Sequence, residues 1–101
     1  MKLFIDTSDR EKIVVGIDTK RFSENAREGA SQKLLPLIED SLKKEGKGFD
    51  DITEIEVATG PGSFTGLRVG VSVANALGWS LGVLVNGKDL RKGQSVDIQY
   101  S

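Results

Sequence analysis

Residues 60–70, reading Gly-Pro-Gly-Ser-Phe-Thr-Gly-Leu-Arg-Val-Gly, restrict the fold more than any other stretch of this chain. They join a strand-like run, residues 55–59, to an apolar, small-residue helix expected over about residues 65–79. Gly60, Pro61, Gly62 and Gly66 demand a tight turn, because glycine tolerates positive φ and lets other groups approach the main chain. Ser63 and Thr65 place hydroxyls where the first N–H groups of a helix need acceptors. Such a turn either holds an anion on those N–H groups or seats a helix closely against its sheet.

As a phosphate cradle the turn is incomplete. A Walker loop carries Lys and then Ser or Thr after its last glycine, and here Leu67 follows Gly66. The dinucleotide fingerprint wants glycine where Thr65 stands, and the strand ending at Val85 is followed by Asn86, not by a ribose-binding acid. The helix supports the other use. Gly66, Gly70, Ala74 and Gly78 recur every fourth residue and form a smooth stripe, while Leu67, Val69, Val71, Val73, Ala76, Leu77 and Trp79 make the helix apolar nearly all round. Either the sheet and a second helix cover this surface completely, or part of it pairs with a partner. In a short chain the excess of apolar surface favours a partner.

With 101 residues the chain suffices for one domain. Its 14 basic and 15 acidic residues leave a net charge of −1, which gives no general attraction to nucleic acid or anionic lipid. There is no cysteine and no histidine. A disulfide framework, a thiolate metal site and the usual nucleophile–histidine pairs are therefore excluded, which suits a reducing cytoplasm. No apolar run reaches membrane-spanning length, and the apolar start is too short for a signal peptide. No cofactor, metal or catalytic residue is expected.

The remaining pattern is β-β-(β)-α-β-α-β with a tail. Strands are expected at residues 3–6, 12–18, 54–59 and 81–85, with a more polar third strand at 20–25. Ile5-Asp6-Thr7 and Ile17-Asp18-Thr19 echo one another as the ends of paired antiparallel strands. Leu34, Leu35, Leu37, Ile38 and Leu42 mark a helix over residues 31–45, beginning nearer Leu34 if Pro36 is to lie in its first turn. Asn86-Gly87 is a turn signal. Residues 88–95 read as loop, and residues 96–100 alternate like a short terminal strand. Glu56, charged in a strand otherwise fit for burial, implies that one sheet face is partly open. Domain limits follow: a lobe over 1–87, then a loop and short strand or tail over 88–101. The class is α/β, a mixed sheet with two main helices.

Three blocks together resemble a known family: Leu3-Phe4-Ile5-Asp6-Thr7-Ser8, then Ser31-Gln32-Lys33-Leu34-Leu35-Pro36-Leu37-Ile38, then the glycine segment from Gly60 to Gly70. In order and spacing they are similar to the TsaB (YeaZ) family, which serves the synthesis of threonylcarbamoyladenosine beside the tRNA anticodon. The resemblance covers residues 1–85 and corresponds to the N-terminal lobe of that family. It implies a single RNase H-like lobe of the actin/Hsp70-type ATPase superfamily. It also implies a non-catalytic role, supporting a catalytic TsaD-like paralogue or pairing with itself as a homodimer, with at most indirect contact with tRNA and none with membrane. The family's pairing surface, carried over by position, falls on Leu34, Leu37, Ile38, Gly66, Leu67, Gly70, Val71, Ala74 and Gly78. Asp6, Thr7, Gly60, Gly62 and Ser63 are the positions of a vestigial nucleotide site, and nucleotide binding there is the alternative function. Ser31 and Gln32 depart from the His and Glu that the family often carries before this block, and Glu56 departs from a small or apolar position.

Overall fold

The computed structural model describes residues 1–26 and 29–99. Alternating apolar residues at Leu3, Ile5, Ile13 and Val15 build strands with one buried side. They form β1 (Lys2–Asp6) and β2 (Lys12–Ile17), which pair antiparallel with Leu3 opposite Ile17. The polar segment that follows does form β3 (Lys20–Asn25), an edge strand antiparallel to β2. Helix α1 (Ala30–Lys44) then crosses over to β4 (Glu54–Val57), which runs parallel to β1 with Leu3 opposite Ile55. Helix α2 (Phe64–Leu81) makes the second crossover, to the short β5 (Leu84–Val85). The sheet order is β3-β2-β1-β4-β5.

Both helices lie on the same side of the sheet. Leu34, Ile38 and Leu42 of α1 and Val71 and Ala74 of α2 join Leu3, Ile5, Ile13, Val15, Ile55 and Val57 in one core. Among the described residues the other sheet face carries no helix, and it is adapted to water. Lys2 Nζ meets Glu56 at 2.5 Å, and the Arg21 guanidinium lies 4.8 Å from the centre of the Phe4 ring. Arg21 also covers Gly16, where any Cβ would collide with its guanidinium. The open face implied by Glu56 is thus present.

Three expectations change. Helix α1 begins at Ala30, so Pro36 lies inside it instead of in its first turn. The position tolerates proline because Pro36 and Gln32, whose carbonyl loses its helical donor, are both exposed. Helix α2 continues to Leu81 and closes at Gly82 in the left-handed region, φ 69°, which shortens the following strand to Leu84–Val85. The terminal segment forms no strand through residue 99, and Tyr100 lies outside the described residues. The Asn86-Gly87 turn forms as expected, with φ of 48° and 77° and an antiparallel bridge between Val85 and Lys88.

Candidate functional site

The glycine turn stands at the carboxyl end of β4, beside the carboxyl end of the parallel β1. This is where open α/β sheets usually receive ligands. Gly60 and Gly62 have φ of 141° and 155°, conformations closed to other residues. Their free space is occupied by the chain itself. A Cβ on Gly62 would lie 2.6 Å from both Cβ and the carbonyl oxygen of Ser8, and one on Gly60 would lie 3.2 Å from the carbonyl oxygen of Gln99. The Ser63 amide donates to the Ser8 carbonyl at 2.9 Å.

The acidic and hydroxyl groups nearby have internal partners too. The Asp6 carboxylate accepts from the Ser8 amide at 2.9 Å and from its hydroxyl at 2.6 Å, a local turn stabilisation typical of Asx residues. Thr7 is fully buried and its hydroxyl donates to the Gly66 carbonyl at 2.5 Å. Ser63 caps α2 by accepting from the Gly66 amide at 3.4 Å. Asp6, Thr7, Gly60, Gly62 and Ser63 are therefore brought together, and their contacts join β1 to α2. Among the described residues there is no group of three or more acidic, histidine or cysteine side chains fit to hold a metal.

The stripe expected to face a partner faces inward. Cβ atoms on Gly66 and Gly70 would collide with Thr7, and one on Gly78 with Val85. Ala74 is fully buried, Leu67 is 1% exposed and Val71 6%. On α1, Leu34 and Ile38 are fully buried and Leu37 nearly so. These nine residues form the seam between the helices and their own sheet. The small side chains bring α2 close to β1 and β5, and no room for another protein remains there.

The exposed surface of the same helices is their opposite side. On α2, Val69 and Val73 are half-buried, Ser72 and Ala76 are exposed, and Trp79 is 61% exposed. On α1, Leu35 is 42% exposed. A shallow groove lined by Ser31, Arg68, Val69, Ser72 and Val73 links the two helices. Residues 69, 72, 73, 76 and 79 recur at helical spacing, so this stripe is visible in the sequence once the small residues are assigned to the inner side. Two asparagines bracket main chain that is distant in sequence, a role their local sequence does not signal. The Asn86 amide accepts from Val57 N at 2.8 Å and donates to Val57 O at 3.0 Å, and Asn75 makes the corresponding pair with Val96 at 3.4 and 3.0 Å.

Comparison with known proteins agrees with this architecture. The chain matches the TsaD family, tRNA N6-adenosine threonylcarbamoyltransferase, over residues 23–87. The tRNA threonylcarbamoyladenosine biosynthesis protein TsaB of Escherichia coli (strain K12) is 40% identical over 47 residues, 46% of this chain and 20% of that protein. TsaB of Bacillus subtilis (strain 168) is 38% identical over 56 residues, 55% of this chain and 24% of that protein. The solved structure of YeaZ from Pseudomonas aeruginosa superposes with a TM-score of 0.69 at 28% identity, covering 83% of this chain and 41% of that one. The chain thus spans under half the length of each of these relatives. The family match extends over more than half of the chain, which therefore belongs to the TsaD family, and its relatives named above are TsaB and YeaZ proteins.

Proposed function

We propose that this lobe is a non-catalytic association subunit of the threonylcarbamoyladenosine pathway, acting in the cytoplasm through the outer sides of α1 and α2. The observation that carries the reading is the set Leu35, Val69, Val73, Ala76 and Trp79, apolar side chains that stay partly or largely exposed on the outer sides of the two helices. Exposed apolar rows on small domains mark association sites. The partner is a TsaD-like paralogue or a second copy, and tRNA is met only through that partner. Neither a histidine nor a cysteine is present for nucleophile–base chemistry.

Sedimentation at micromolar concentration, alone and with a TsaD-like protein, tests the reading. Leu35→Asp and Ala76→Arg alter exposed positions and should weaken association by about tenfold or more while leaving the fold intact. A chain that stays monomeric and binds no TsaD-like protein sinks the proposal. Nucleotide binding at the glycine turn is the weaker reading, since Ser8 and Gln99 fill both sides of that turn. Calorimetry with ATP and magnesium decides it: heat at millimolar ligand would restore it.

A further inference from the structure

The segment after the 3-10 turn at Leu90–Lys92 runs back along α2 toward the glycine turn. It is held by a few main-chain hydrogen bonds and by the burial of one side chain, Val96. Val96 N and O are bracketed by the Asn75 amide, and the Gln99 amide donates to the Thr59 carbonyl at 2.9 Å. Val96 is 3% exposed and Ile98 is half-buried against the core, while residues 94, 95, 97 and 99 are exposed. Open grooves flank the segment on both sides. One, of about 550 Å³, is lined by Arg68, Val71, Ser72 and Asn75 together with residues 96–98. The other, of about 390 Å³, lies between Thr59, Asn86 and Lys88 and residues 95–99.

We infer that the groove between α2 and the carboxyl end of β4 is a seat for an extended peptide with apolar residues two positions apart, and that residues 95–99 occupy it in cis as a detachable strap. Three features support this. Asn75 reads a peptide main chain at two points and asks nothing of its side chain. The seat takes alternate side chains, at 96 and 98, as strand-addition sites do. The flanking space leaves room for side chains larger than valine and isoleucine, and a segment with one buried side chain and few ties opens ahead of the core. When the strap leaves, the Thr59 carbonyl and the Gly60 main chain are uncovered together.

Hydrogen exchange on the full chain gives the first test. The amides of Val96 and Gln99 should exchange at least tenfold faster than those of Ile5 and Ile55; exchange in step with those strands overturns the inference. The second test uses the full-length Val96→Asp variant and a synthetic peptide with the sequence of residues 94–99. In an NMR titration the peptide should shift the Asn75 side-chain amide and Thr59 signals saturably. The wild-type chain should need about tenfold more peptide or higher still, because its own strap is present at millimolar effective concentration. Adding Asn75→Ala should abolish binding. A folded Val96→Asp chain that ignores the peptide overturns the inference, and if that variant does not fold, the exchange rates decide it alone.

Discussion

The hydroxyl of Thr7 donates to the carbonyl oxygen of Gly66 across 59 residues of chain, fastening the end of β1 to the first turn of α2. Both groups lie at the glycine turn, so the bond ties the family's most recognisable segment to the central strand. Thr7→Val keeps the shape and removes the donor. It should cost about 1 kcal/mol in urea unfolding, the net worth of one hydrogen bond, and Thr7→Ser should recover most of it.

Gly70 lies one helical turn further along, and a Cβ there would press on the Thr7 hydroxyl. Helix propensity alone favours Gly70→Ala by about 1 kcal/mol. Overpacking against a fixed neighbour costs about 1–3 kcal/mol, so the net effect should be destabilising, and larger for Gly70→Leu. Denaturant midpoints check this. A folded and fully stable Gly70→Leu chain would mean that the stripe faces solvent after all.

Asn86 combines a positive φ of 48° with the two-point bracket on Val57, itself 3% exposed. Asn86→Ala leaves Val57 N and O without these partners and adds backbone strain. It should destabilise by about 2–3 kcal/mol, with about 1–2 kcal/mol from the orphaned main-chain groups and the rest from strain. Asn86→Gly should be milder by about 0.5–1 kcal/mol, since glycine accepts that backbone conformation. Thermal unfolding of both variants separates the two contributions.

Arg91 donates from Nε to the Trp79 carbonyl at 2.8 Å and from Nη2 to the Ser80 carbonyl at 3.0 Å, closing the C-terminus of α2. Arg91→Met should lower stability by about 0.5–1 kcal/mol, the usual worth of a cation at a helix end. Arg91→Lys should recover only part, because a single ammonium does not reproduce the two-pronged contact.

Lys2 titrates above its ordinary 10.5, chiefly through its hydrogen bond to Glu56, with further help from the charges of Glu56 and Glu54. Glu56→Gln should lower the Lys2 value in an NMR titration. Because the folded value is the raised one, the pair's contribution is fully present below 10.5 and fades as pH rises through the folded value. The contact is solvent-exposed, so its effect on stability should be small and salt-sensitive.

Much of the architecture was readable because it is local. The alternation of Leu3 and Ile5, or of Ile13 and Val15, declares a one-sided strand, and Glu56 declared the wet side. The stripe Gly66, Gly70, Ala74 and Gly78 announced a close approach. Its spacing does not say whether the approaching backbone belongs to the same chain, and the collision partners Thr7 and Val85 are distant in sequence. Pro36 misled because tolerance of proline depends on which side of the helix meets water. The brackets made by Asn75 and Asn86 had no local signature, since each reads a backbone 21 or 29 residues away.

The helix-free sheet face, with Lys2 on Glu56 and Arg21 over Phe4, gives the molecule a front and a back. Charge keeps the back in water, so only the helical front is available for stacking. Any pair formed through α1 and α2 therefore has four layers in the order sheet, helix, helix, sheet, with both glycine turns held along the rim of the sandwich and neither at its centre.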